Sequence, residues 1–232
     1  MLTEILIISL MAGIVSIDVR TIGGTMISRP LVISPLVGLI LGDLKVGFIV
    51  ATFLELIWIG LPPIGAYLPA ETLPIAVIST SLAIILKGKM EVEMLSIIVF
   101  CIIVAIPFGF IGKWLEYHIR TFNSYLSRKV SKEVEKGNIE SVCSLQYFNI
   151  LLSFLKGFVI CFIPILFGQI LLIKIFNSLP NQIKEGILFS SWFVLALGFA
   201  VVMEIFILNK YIKYFFISFF VLILLFLAIG VM

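Results

Sequence analysis

Four apolar runs constrain this chain more than any other feature: Met94–Gly112, Ile150–Ile173, Gly186–Leu208 and Tyr214–Met232, each about 19–24 residues long. At about 1.5 Å rise per residue, each is long enough to cross roughly 30 Å of hydrocarbon as a helix. Within hydrocarbon, backbone N–H and C=O groups find partners only inside the protein, which favours helices for runs of this length. Only 12% of the chain is charged and 62% is hydrophobic; a soluble domain carries about 25% charge and needs a polar shell. The chain therefore reads as an all-α, polytopic membrane protein, one membrane domain over residues 1–232.

Pro107 and Pro164 fall inside two of the runs and are expected to kink their helices. Lys156, near the start of the second run, is expected to snorkel to the interface. Leu2–Ile17 has Glu4 where a signal peptide carries basic residues, and reads as a retained first helix.

The N-terminal half is different. Leu31–Leu41 is short and stops at Gly42-Asp43. Val46–Leu61 contains Glu55 and stops at Pro62-Pro63. Pro69, Glu71 and Pro74 precede Ile75–Leu86. Short stretches broken by Gly and Pro predict broken or re-entrant helices. Such backbone survives at membrane depth where protein or a wet cavity satisfies it, which in transporters is where substrate binds.

Between the halves, Leu115, Ile119, Phe122, Leu126 and Val130 recur at helical spacing, with Lys113, Glu116, Arg120 and Arg128 among them. This predicts an interfacial amphipathic helix within 113–146, with a turn at Lys136-Gly137-Asn138. Lys113–Gln146 and the Lys210/Lys213 loop together hold eight basic residues, against two in Lys174–Glu185. The positive-inside rule places the first pair in the cytoplasm and Met232 outside.

Glu55 is the most informative side chain. It is the one charge in Phe48–Gly60, and a central acid costs about 2.5–3.5 kcal/mol to insert, so it is expected to face the interior with a partner. One reading is a carboxylate that accepts hydrogen bonds from sugar hydroxyls; the other is a structural contact to a basic residue or to backbone amides. Glu71 is a second hydroxyl acceptor or an N-cap-like acid. Thr52 shares a helix face with Glu55, and its hydroxyl binds sugar or its own backbone. Trp58 stacks on a sugar ring or anchors at the interface, as Trp114 and Trp192 are expected to do. Asp18, Arg29 and Asp43 are support residues, with Arg29 paired to Asp18 or Asp43. Arg20 and Lys45 read as solvated charges, and Glu204 as an acid within snorkelling distance of Lys210.

Cys101, Cys143 and Cys161 form no C-x-x-C pair. His118 is the lone histidine and falls on the amphipathic segment. The sequence has no Walker A loop, G-x-S-x-G elbow or H-E-x-x-H. No catalytic residue, metal or cofactor is assigned, and no basic face suggests nucleic acid.

Four stretches carry a family resemblance: Ser28-Arg29-Pro30-Leu31-Val32, Leu36 to Gly47 with its L-V-G-x-x-L-G-D-x-x-x-G pattern, Leu54-Glu55 to Gly60, and Pro63-Ile64-Gly65-Ala66. In this order they resemble the mannose/sorbose class of phosphotransferase-system (PTS) IIC proteins, and Glu135-Lys136-Gly137-Asn138 resembles that family's later G-N. The departures are Met26 and Ser28, where Gln or His is frequent before Arg-Pro, Glu71 where Asp or Asn is frequent, and the missing polar tail.

The resemblance implies a IIC subunit that carries sugar across the bacterial cell (inner) membrane for phosphorylation by IIB. It implies a IID membrane partner, soluble IIA and IIB components and a homo-oligomer of IIC/IID pairs, with no phosphorylated residue on this chain. It makes residues 30–86 the substrate core, its interrupted part being Leu36–Ser81, with Glu55 and Glu71 holding hydroxyls and Arg29 and Asp43 bracing the fold. Two rivals stay open: a secondary transporter or channel that moves its solute unmodified, and a non-transporting scaffold.

Overall fold

The structure is a computed structural model, and it describes residues 2–18, 24–58, 69–90, 92–135, 139–207 and 212–228. Every regular element among them is helical: α1 (Leu2–Ile17), α2 (Pro30–Ile40), α3 (Leu44–Trp58), α4 (Thr72–Leu86), α5 (Met94–Glu135), α6 (Ile139–Ser178), α7 (Asn181–Ile207) and α8 (Ile212–Ala228). Three are long and apolar enough to cross a membrane, within Met94–Arg128, Cys143–Ser178 and Asn181–Val201. The fourth long run contributes α8, described over 17 residues.

The broken N-terminal half folds as short helices, and α2 with α3 makes a tight antiparallel hairpin. Arg29 is extended (φ −67°, ψ 141°), as a residue before proline prefers, and Pro30 opens α2. Gly42 closes it at φ 77°, a conformation open to glycine. Gly42 N–H donates to Leu39 and Asp43 N–H to Gly38, so the helix ends in a Schellman motif. Asp43 then caps α3 by accepting from Val46 N–H at 3.2 Å. The Gly-Asp pair thus ends one helix and starts the next.

Two glycines let the hairpin close. A Cβ on Gly47 would lie 2.8 Å from the Ser34 carbonyl oxygen, and one on Gly38 would lie 3.1 Å from Gly47 Cα. The backbones touch where side chains would otherwise separate them.

Helix α4 is the centre of the bundle. Every residue from Leu73 to Ala83 is buried, against α2, α3, α5 and α6. A helix that is apolar all round belongs in such a position. Gly168 of α6 abuts Leu82, and Gly157 abuts Ser16 of α1.

Two expectations are revised. Within 113–146 the amphipathic stretch is not a separate helix: residues 113–135 continue α5 without a break and α6 begins at Ile139. Helical hydrogen bonding propagates more readily than it restarts, and the charged stretch contains no breaker until Gly137. The turn at 136–138 lies outside the described residues, as do Arg20, Lys210 and the segment 59–68. Pro107 and Pro164 sit inside α5 and α6, which continue as helices on both sides of them. Lys156 does not snorkel: its side chain is 4% exposed and ion-paired in the interior.

Candidate substrate site

Glu55 sits near the end of α3, at the open end of the hairpin. Arg29 Nη1 donates to its Oε1 at 3.2 Å. This corrects the expected pairing of Arg29 with Asp18 or Asp43: the Gly42 turn folds α2 back on α3, which brings residue 29 beside residue 55. Glu55 Oε2 is buried and has no hydrogen-bond partner among the described residues. The carboxylate is thus held by one oxygen and has acceptor capacity left on the other.

Trp58 lies one turn further along the same face. It is buried, and its indole N–H has no partner among the described residues. The Thr52 hydroxyl donates to the Phe48 carbonyl at 2.9 Å.

Glu71 repeats the arrangement at the other side of the segment 59–68. It occupies the N-cap position of α4 but makes no side-chain cap bond. Its backbone N–H donates to the Gly109 carbonyl at 3.0 Å. Its Oε1 accepts from Lys156 Nζ, and its Oε2 is buried without a hydrogen-bond partner among the described residues. Gly112 makes the room: a Cβ there would lie 2.4 Å from Glu71 Oε2.

Lys156 also donates to Glu116 Oε2 at 3.1 Å, and Glu116 Oε1 accepts from Arg120 Nε at 3.0 Å. Two acids and two bases therefore alternate from the start of α4, through α6, to α5. An isolated ammonium at this depth costs several kcal/mol, and the acids on either side offset that cost. The sequence did not mark Lys156 as part of the site, since its two acids stand 85 and 40 residues away.

Asp43 pairs with Lys87, which donates to Oδ2. That hydrogen bond holds the carboxyl of this turn residue below the usual carboxylate range, against the opposing effect of burial. Asp18 Oδ1 accepts from Thr25 N–H at 3.2 Å and its Oδ2 is buried without a partner among the described residues. Trp114 and Trp192 are exposed, and Trp114 stacks edge-on with His118, with centroids 4.3 Å apart. Glu204 is exposed.

Two cavities lie away from Glu55. One, about 570 Å³, is lined by residues including Asn123, Ser127, Gln146 and Asn149. The other, about 510 Å³, is an apolar groove between α5 and α6 that includes Ile111, Leu115, Leu155 and Val159. The side chain of Glu55 is 24% exposed. The wet cleft expected around it is therefore not one of these two.

Comparison with known proteins adds an independent line. Residues 2–232 match the family model described as the PTS system sorbose-specific IIC component. The chain is 29% identical over 195 residues to the sorbose-specific EIIC component of Lacticaseibacillus casei, covering 84% of this chain and 67% of that protein. It is 26% identical over 177 residues to the mannose-specific EIIC component of Escherichia coli K12, covering 76% and 64%. The fructose permease IIC component of Bacillus subtilis is 28% identical over 200 residues, covering 86% and 70%. The matches thus span about two-thirds of these relatives.

Among solved structures, one described as a membrane protein superposes with a TM-score of 0.71 at 24% identity, covering 99% of this chain and 90% of the other, and shows a shared fold. A cryo-EM structure of the mannose transporter ManYZ with microcin E492 superposes with a TM-score of 0.56 at 25% identity, covering 95% and 84%.

Proposed function

This chain belongs to the sorbose-specific IIC family of the phosphotransferase system, and from that premise we propose how its residues handle sugar. It is a multi-pass, sugar-translocating IIC subunit of the mannose class. It binds a sugar through Glu55 and Glu71 and delivers it to the cytoplasmic face of a bacterial inner membrane for phosphorylation. A IID membrane subunit works beside it, soluble IIA and IIB components supply the phosphate, and IIC/IID pairs assemble as an oligomer. Residues 30–86 form the substrate core.

One observation supports this reading above the others. Glu55 and Glu71 flank the segment 59–68, and each has one oxygen on a cation and the other buried without a hydrogen-bond partner among the described residues. A buried acceptor without a partner costs about 1–3 kcal/mol, and a hydroxyl that reaches it recovers that energy. A polyhydroxylated guest carries many such donors. Trp58, one turn from Glu55, adds an N–H without a partner among the described residues. Asp43 caps α3 at the far end of the hairpin and Asp18 holds the Thr25 backbone, while Thr52 stands one turn from Glu55.

The test is sugar uptake by the IIC–IID complex reconstituted with the soluble components. Glu55→Gln should reduce uptake at least about tenfold, the size of one lost charge-assisted hydrogen bond. Unchanged uptake would remove Glu55 from the site. Family membership favours this reading over a transporter that leaves its solute unmodified; the discriminating product is sugar phosphate.

A further inference from the structure

We infer that Lys156 is a positioning residue for sugar binding, holding the Glu71 carboxylate by one oxygen and leaving the other for a sugar hydroxyl. The inference rests on the reading that Glu71 accepts a sugar hydroxyl.

Four observations carry it. Lys156 comes from α6, outside the substrate core, yet its ammonium donates to Glu71 Oε1 at the entry to α4. Its side chain is 4% exposed, so that contact lies in the interior and is little screened. The Glu71 backbone is tied separately, by its N–H on Gly109, so the backbone bond does not orient the carboxylate. The absence of a side chain at Gly112 leaves Oε2 the space it occupies. The carboxylate torsions are thus set by Lys156 on one side and by α5 on the other.

Neutralising Glu71 does not require this geometry. A lysine that only balanced charge would be replaceable by any arrangement with the same net charge, whereas a positioning lysine would not. Glu116 makes the two roles separable, because it is the second acid on Lys156. Removing Lys156 together with the Glu116 charge keeps the local balance between Glu71 and Arg120 while abolishing the hold on Glu71.

The experiment measures equilibrium binding of radiolabelled D-mannose, D-fructose and L-sorbose to the purified IIC–IID complex, alongside its thermal stability. Lys156→Met should weaken the binding of whichever sugar the native complex takes by about tenfold, and Lys156→Arg should stay within about threefold. Lys156→Met/Glu116→Gln should regain stability over the single variant and remain about tenfold weak. Native affinity in Lys156→Met or in that double variant overturns the inference. If neither Lys156→Met variant assembles, Glu71→Gln, which leaves Lys156 on Glu116, decides the matter: affinity should fall about tenfold, and native affinity overturns the inference. Loss of binding in Glu55→Gln with native binding in Glu71→Gln retains the sugar site and rejects the role of Lys156. A native complex that binds none of the three sugars rejects the sugar reading and this inference with it.

Discussion

Arg29 Nη1 lies 3.2 Å from Glu55 Oε1, closing the α2–α3 hairpin at the end opposite the Gly42 turn. The pair ties the start of α2 to the acid of α3. One contact therefore does two things: it supplies the partner that an acid at this depth requires, and it fixes which oxygen remains for a ligand. The side chain of Arg29 is 36% exposed, so its contribution to stability is modest.

Arg29 and Glu55 should act as one unit in binding. Arg29→Leu and Glu55→Gln should each weaken sugar affinity in the assembled complex, and the double variant should be no weaker than Glu55→Gln alone. Strictly additive losses in a double-mutant cycle would show that the two side chains work independently.

The glycine contact in the hairpin leaves no room for side chains. Gly47→Val should destabilise the protein by about 1–3 kcal/mol, because the new side chain meets the backbone of α2, which cannot rotate away. Gly186→Val, where an added Cβ meets nothing within 4 Å, serves as the control in thermal unfolding of the detergent-solubilised protein.

Asp43 should matter through its cap more than through its ion pair. Asp43→Asn should cost about 1 kcal/mol or less, since asparagine also caps, and Asp43→Ala about 0.5–2 kcal/mol. Lys87→Met should cost less than about 1 kcal/mol, because the lysine side chain is 53% exposed. The depressed carboxyl stabilises the fold above its unfolded value, near 3.8, and that contribution is lost as pH falls through the lower folded value. Unfolding followed against pH should show the contribution intact at neutral pH and fading only below about pH 4. A loss centred near pH 6 would contradict it.

Gly112→Ala should separate binding from folding at Glu71. The added methyl would fall 2.4 Å from Oε2, the movable end of a side chain. The carboxylate should swing aside, lowering sugar affinity severalfold while the melting temperature changes little. An equal loss in both measurements would place the clash on the backbone instead.

Cys143 should react with a membrane-impermeant maleimide, while Cys101 and Cys161 should not. The first is exposed near the start of α6 and the other two are buried. Labelling of inside-out vesicles, and not of right-side-out ones, is the outcome expected from the basic residues of 113–146. The reverse pattern would invert the topology.

Much of this protein is legible without coordinates. Long apolar runs specify spanning helices because hydrocarbon offers the backbone no other partners. Pro30 at a helix start and the Gly42-Asp43 turn are local signals, since φ restrictions and capping act over a few residues. Glu55 stood out because its charge conflicts with its neighbours.

Partnership is what only the tertiary structure decided. Arg29 met Glu55, Asp43 met Lys87, and Lys156 turned inward to Glu71 and Glu116. None of these pairs is marked by spacing, because each depends on which helix faces join once the bundle closes. A charged side chain in an apolar run has two ways to lower its energy: it reaches for the interface or it finds an opposite charge. Composition does not choose between them. The choice follows from the neighbours that α4, α5 and α6 bring together.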